Sequence, residues 1–384
     1  MRCRYGEQKR VEAAEMGVGM DKDVLMEAAC QDLLTYGMWD GKAKLKYLIR
    51  KYLLRRKAAP EDLVFWPMGL LAAGLWQCRQ EMKRGDIASG EDRKTDAAMI
   101  DLVLEAYYDR WFQKGCPVIW LDDLLTGETL LDIYEDYRKQ GQDNGIVHAR
   151  NADQYRQAAE KLAAFGLAYQ TDETGSFPYR TGQGNEHVYV DSIGLACPFL
   201  YRYGVIYEKQ ETMELAVKQI VNFLAYGMDV HTGLPYHGYS IADDCKYGII
   251  GWGRAVGWLL RGMNGCMVTE YGSERLADSY LKILDAVLGF QRKDGYFSWQ
   301  LQAAEGPADT SATGMICVSL KQGIQQGVLK EQKYEDAMQS GVSAIEKAVR
   351  DGRVYQCSGE CEGFGQYPQR YGAYPWALGP ALML

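Results

Sequence analysis

The sequence predicts an all-α fold: one domain over residues 1–384 folded as an (α/α)6 barrel, six helical hairpins closed into a toroid. Two observations carry this. Apolar residues recur at three- and four-residue spacing through almost the whole chain, the mark of helices with one buried face. Four connecting loops also repeat an Asp, a Gly and an aromatic residue at a period near 60. They are Asp172–Tyr179, Asp229–Tyr236, Lys293–Phe297 and Asp351–Tyr355. Their glycines, Gly175, Gly233, Gly295 and Gly352, lie 58, 62 and 57 residues apart.

The helical periodicity covers 23–38, 43–56, 67–83, 96–113, 124–138, 152–168, 191–204, 210–226, 253–270, 274–290, 311–327 and 332–349. Gly and Asp/Asn clusters separate these segments. Strand-like alternation is confined to short pieces such as Tyr296-Phe297-Ser298-Trp299. A period near 60 fits a pair of helices with both their connections, and 384 residues then hold about six such pairs. In the repeated loops the Asp side chain caps local backbone and the Gly takes a positive φ. A closed ring gathers equivalent loops at one end, where their aromatics converge on a cleft. An open solenoid with the same repeat is the alternative.

Composition narrows the functions. The net charge of −8 gives no electrostatic help toward nucleic acid or an anionic membrane. No apolar run reaches the roughly 18 residues of a membrane span, and no apolar stretch follows the N-terminal arginines as a secretion signal would require. The ten cysteines are scattered, several within apolar runs, as in a reduced cytoplasmic protein. Only Cys357 and Cys361 are close, without a histidine nearby, so no metal site is expected there. Motifs for phosphate, nucleotide or metal binding are missing, and no cofactor is expected. Tyr (27) and Trp (9) far outnumber Phe (9). Such rings pair a flat apolar face with a polar handle and suit sugars, though Tyr is also common on helix surfaces.

Four segments look unlike ordinary helix or turn. In Trp120-Leu-Asp122-Asp123 two carboxylates open an apolar helix, where a capping role is equally open. In His187-Val-Tyr189-Val-Asp191 an acid follows an apolar pair and precedes a very apolar helix. A poorly hydrated carboxyl of that kind suits general-acid work, and an N-cap is again the alternative. Tyr236-His237-Gly238-Tyr239 sets a histidine among aromatics in a repeated loop. Gly251-Trp252-Gly253-Arg254-Ala-Val-Gly257-Trp258 combines tryptophans with glycines that permit close approach and an Arg able to pair with a carboxylate.

In this order these segments resemble glycoside hydrolase family 105, the unsaturated rhamnogalacturonyl hydrolases, and more distantly family 88, from about Trp66 to the C-terminal Gly379-Pro-Ala-Leu. The resemblance implies a metal-free, single-domain (α/α)6 barrel. It makes Asp191 the general acid/base and Asp122 a second essential carboxylate. His237, Trp252, Arg254, Trp258, Tyr189, Trp66 and Ser311 become substrate-binding residues, Ser311 lying in Asp309-Thr310-Ser311-Ala312-Thr313-Gly314. The implied partner is an oligosaccharide ending in a 4,5-unsaturated uronic acid, the product of a polysaccharide lyase. The implied reaction protonates C4 of this vinyl ether, adds water at C5 and lets the hemiketal open. Tyr189 stands where the family usually has Trp, Asp309 where it has Glu, and Pro67 where relatives often have His. Residues 181–187 lack the lysine of rhamnogalacturonan-active members, leaving the linkage open. A sugar epimerase on the same barrel would need a pair of histidines, which only His187 and His237 could form. A non-catalytic sugar-binding barrel is the remaining alternative. A monomer or weak homodimer is expected.

Overall fold

The computed structural model describes residues 20–36, 62–85, 91–144, 146–182 and 186–384. The expected helix over 43–56 lies outside these. Twelve helices follow: α1 (Lys22–Thr35), α2 (Trp66–Arg84), α3 (Glu91–Phe112), α4 (Thr126–Asn144), α5 (Ile146–Leu167), α6 (Asp191–Ile206), α7 (Gln210–Tyr226), α8 (Gly253–Cys266), α9 (Glu270–Leu288), α10 (Thr310–Gln325), α11 (Gln332–Ala348) and α12 (Pro375–Met383). Among the described residues no helix is long and apolar enough to cross a membrane.

The even-numbered helices form the inner ring and the odd-numbered ones the outer. Burial separates them. Inner helix α6 buries 12 of its 16 residues, around its whole circumference, because neighbours surround it. Outer helix α11 buries one stripe, Tyr334, Gly341, Ala344, Ile345 and Ala348, and turns its charges to water. Around the ring α2 packs on α4, α4 on α6, α6 on α8, α8 on α10, α10 on α12, and α12 returns to α2. That last contact closes the toroid and excludes an open solenoid.

Closure needs helices to approach closely. At Gly194 in α6 a Cβ would stand 2.6 Å from the Trp258 ring and 2.7 Å from the Trp258 carbonyl of α8. The missing side chain lets two inner backbones nearly touch and seats an indole between them.

The helices alternate in direction, so every inner helix starts at one end of the barrel. The four repeated loops connect an outer helix to the next inner helix at that end. Their turn chemistry is as expected: Asp172 Oδ1 accepts from the backbone N–H of Thr174 and Ser176 at 2.9 and 2.8 Å, and Gly175 has φ 83°.

Among the described residues, seven short strands occur in these loops. The largest sheet pairs β1 (Val188–Tyr189) with β2 (Gly238–Ser240), and β2 with β3 (Cys245–Tyr247), all antiparallel. Near the C-terminus β4 (Val349–Arg350) pairs with β5 (Arg353–Val354), and β6 (Cys357–Ser358) with β7 (Tyr371–Gly372). The segment 296–299 forms no strand; it makes an isolated bridge, Ser298 to Ala308.

Candidate active site

The residues singled out in the sequence sit at successive inner-helix starts. Trp66 opens α2, Asp122 lies in a 3-10 turn (Leu121–Leu125) leading into α4, and Asp191 opens α6. Trp252 caps α8 with Arg254 in its first turn, and Asp309 caps α10 just before Ser311. One end of the barrel therefore collects six helix N-termini, whose unpaired N–H groups and dipoles favour negative charge in the space between them.

Asp191 is the first residue of α6, and Val190 occupies the cap position. The carboxylate does not cap the helix; Oδ2 stands 3.1 Å from His237 Nε2. The small sheet sets this distance. Tyr189 pairs with Gly238 across β1 and β2, and the Val190 N–H donates to the His237 carbonyl at 2.9 Å. His237 is 1 % exposed, and its other nitrogen, Nδ1, lies 2.9 Å from the Tyr367 hydroxyl.

The adjacent acids at 122 and 123 divide two roles. Asp123 Oδ2 accepts from the backbone N–H of Ile119 at 2.6 Å and of Trp120 at 3.1 Å, which makes it the cap. Burial, then the neighbouring Asp62 charge, pushes its pKa up to about 7, against two stabilising N–H bonds. Its Oδ1 has no hydrogen-bond partner among the described residues. Burial likewise pushes Asp62 up to about 6. Asp122 turns the other way. Arg180 grips it with both terminal nitrogens at 3.1 Å, and the Tyr179 hydroxyl donates to Oδ2 at 3.1 Å. Burial works against the Arg180 charge, but the hydrogen bonds and charge of Asp122 outweigh it and hold the guanidinium above its usual pKa.

Arg254 is 2 % exposed and spends its terminal donors on the protein. Nη1 reaches Ser311 Oγ at 3.2 Å and the Ser358 carbonyl at 3.1 Å, and Nη2 reaches the Gly359 carbonyl at 2.7 Å. Asp309, fully buried, accepts from the Ser311 and Ser358 hydroxyls at 2.6 and 2.5 Å and lies 3.8 Å from Arg254. Arg254, Ser311 and Asp309 thus tie the β6 strand to the starts of α8 and α10. Below them Trp66 packs against Trp258 and Trp376, with ring centroids 5.6 and 5.3 Å away. Trp258, at 2 % exposure, is part of the barrel interior.

One wall is a continuous stack. The Arg180 guanidinium lies between Trp120 and Tyr179, 4.6 and 4.1 Å from their centroids. Tyr179 stacks on Tyr189 at 4.7 Å, Tyr189 on Phe364 at 4.2 Å, and Phe364 on Tyr247 at 5.3 Å. Trp252 closes the opposite side of His237, ring to ring at 4.6 Å. His187 packs on Phe364 and faces Asp243 at 3.4 Å.

Comparison with known proteins places this geometry. Residues 66–384 match the family model of Glycosyl Hydrolase Family 88. The chain belongs to that family. The unsaturated rhamnogalacturonyl hydrolase YesR of Bacillus subtilis is 24 % identical over 291 residues, spanning 73 % of this chain and 80 % of that enzyme. An unsaturated 3S-rhamnoglycuronyl hydrolase of an Alteromonas species is 32 % identical over 112 residues, which is 27 % of either protein. Among solved structures, a possible family 105 member from Salmonella enterica superposes with a TM-score of 0.73 at 16 % identity, covering 94 % of this chain and 92 % of its own. Unsaturated glucuronyl hydrolase of Bacillus sp. GL1 superposes at 0.61 with 16 % identity, over 84 % and 85 %.

Three residues of this glycosidase escaped the sequence reading, and a fourth, Cys361, was weighed there only as a metal ligand. Arg180 follows Pro-Tyr in a repeated loop and looks like any surface arginine until its partner Asp122 is known. Cys361, Phe364 and Tyr367 lie in the arch between β6 and β7, which has no periodicity to read. Cys361 Sγ is 4.0 Å from His237 Nδ1, and burial pushes its thiol up to about 12, so it stays a thiol.

Proposed function

We propose that this family 88 glycosidase removes a terminal 4,5-unsaturated uronic acid, of the unsaturated galacturonyl, rhamnogalacturonan type, from oligosaccharides left by polysaccharide lyases. Asp191 is the proton donor to C4 and then the base that takes a proton from the water adding at C5. The hemiketal so formed opens and releases the next sugar. Asp122, held by Arg180 and Tyr179, fixes the neighbouring wall. His237, Trp252 and Tyr189 surround the reacting ring, and Arg254, Ser311, Trp66 and Trp258 build the floor beneath it.

The observation carrying this reading is differential access. The Asp191 side chain is 15 % exposed, against 4 % for Asp122 and 0 % for Asp309. Only the first can meet a substrate atom without rearrangement. The converging helix N-termini support a substrate that brings its own carboxylate. The relatives whose names specify unsaturated uronyl substrates support the substrate class. A reducing, cytoplasmic location fits nine described cysteines that are all free.

The test is a panel of lyase products from pectin, rhamnogalacturonan, ulvan and glycosaminoglycans, followed by loss of the double bond's ultraviolet absorbance. Followed by NMR in the same reaction, hydration consumes the double bond no later than the next sugar is released; direct displacement at the anomeric carbon frees a still-unsaturated sugar first, which ketonises only afterwards. Absence of turnover on the whole panel would sink the reading, and release of the next sugar ahead of double-bond loss would refute the hydration step.

A further inference from the structure

His237 lies between two groups, and the proton inventory of one of them determines its tautomer. The Tyr367 hydroxyl oxygen already accepts the Ile249 N–H at 3.2 Å. Its single proton is then free to point along the 2.9 Å line to His237 Nδ1. Burial holds the phenol above its ordinary pKa, so that proton stays in place. The nearest other group, Cys361, turns its thiol toward the Gly363 carbonyl at 3.3 Å. The contact is built closely. Gly248, at φ 78°, passes so near that a Cβ would stand 2.6 Å from the Tyr367 hydroxyl and 2.5 Å from His237 Cβ. The Tyr367 ring is further pinned by Trp252 and Trp299, at 5.6 and 6.0 Å.

We propose that Tyr367 is a positioning residue that locks the neutral His237 imidazole with its proton on Nε2. Asp191 Oδ2 then always accepts, and the acid's transferable proton is confined to Oδ1. The inference deepens the reading of Asp191 as acid and base. When Oδ1–H protonates C4, the new carboxylate already has a donor on Oδ2. When water adds, its proton returns to Oδ1, and His237 and Tyr367 end the cycle as they began. Without the phenol, the imidazole can carry its proton on Nδ1. Nε2 then accepts and draws the Asp191 proton onto Oδ2, away from the substrate. Which nitrogen bears the proton is set by the hydrogen bond at the other.

The experiment is nitrogen-15 NMR of the imidazole rings in the intact enzyme without substrate. The chain has four histidines, and His237 is assigned by the signals lost in His237→Gln. The expected result is protonated Nε2 and bare Nδ1 in the wild type, with a mixture of both tautomers in Tyr367→Phe. In turnover, Tyr367→Phe lowers kcat about tenfold, the scale of one hydrogen bond, with KM little changed. Tyr367→Met, which also removes the hydroxyl but keeps an apolar side chain in the space of the ring, gives the same tautomer mixture and serves if Tyr367→Phe does not fold. Protonated Nδ1 in the wild type, or an unchanged tautomer in both variants, overturns the proposal. The NMR result needs no substrate. If the lyase-product panel fails while the tautomer moves as stated, the substrate reading falls and the lock stands.

Discussion

At one end of the barrel six inner helices begin, under loops such as 227–252 and 349–374; at the other they finish, under turns as short as 207–209 and 267–269. The far end holds a cavity of about 500 Å³ lined by Glu128, Asp132, Glu135, Asp136, Arg202 and Arg261 among others. Its charges close on one another: Arg202 meets Asp132 at 2.6 Å and Glu135 at 2.8 Å, and Arg261 meets Glu128 at 2.6 Å. Arg202 and Arg261 suit the negative ends of the helix dipoles there, and the carboxylates of α4 pair with them. The near end has stacked rings, a half-open carboxylate and a buried imidazole fixed from both sides. On the proposed function, cavity size does not locate the chemistry. What distinguishes the near end is Asp191, held by His237 at Oδ2 while its side chain stays 15 % exposed.

Substitutions at the two ends sharpen that contrast. Asp191→Asn at the near end is expected to lower kcat on lyase products by about 10³-fold, the range of a lost general acid and base, with the melting temperature unchanged. Retained turnover would move the acid elsewhere. Arg202→Met at the far end should do the reverse. It strands Asp132 beside Glu135 and lowers stability by about 1–2 kcal/mol, discounted because both side chains are partly solvated, while kcat stays at the wild-type value. Thermal melts and initial rates on the same samples check both halves. Phe364→Ala removes the middle of the stack and should raise KM several-fold, consistent with about 1 kcal/mol per aromatic contact, with a smaller change in kcat.

The smallest effect is a slope. Asp123 is raised in the folded protein to about 7 and Asp62 to about 6, both first by burial. A carboxyl raised on folding penalises the folded state once the unfolded chain ionises. Stability should therefore be full at low pH and fall as pH climbs from about 4, the ordinary Asp value, toward 7. Asp123→Asn keeps an oxygen for the Ile119 and Trp120 N–H groups and cannot ionise. Denaturant melts of this variant should show a flatter decline over that window. An unchanged slope would assign the titration to other groups.

Much of the near end was legible because helix starts leave marks in sequence. The period found α6 within two residues of its end, at 191–204 against Asp191–Ile206. The Asp–Gly turns located four of its loops. Asp122 and Asp123 were visible as a pair, but not which one bonds the local backbone, because the choice depends on Arg180, a partner 58 residues from Asp122. Arg254 suggested a partner carboxylate; Asp309 lies 3.8 Å away, and the terminal donors also reach Ser311, Ser358 and Gly359, residues 57 to 105 positions away. Helix α12 was not expected. It has nine residues and two prolines, too few turns for a period to emerge. Tyr367 was invisible for a similar reason, since its role depends on a hairpin arch rather than on local pattern.

The contact of α12 with α2 also bears on how the molecule is assembled. Residues 375–383 complete a ring that opens at residue 66. Residues 66–383 must all leave the ribosome before the first and last inner helices can meet. Until then the growing chain carries apolar inner faces with no neighbour, and such faces favour association between chains. Contacts this distant in sequence slow folding, because a long loop must close before they form. Closure of the ring is therefore a late event, and chaperone demand should peak just before residues 375–383 emerge.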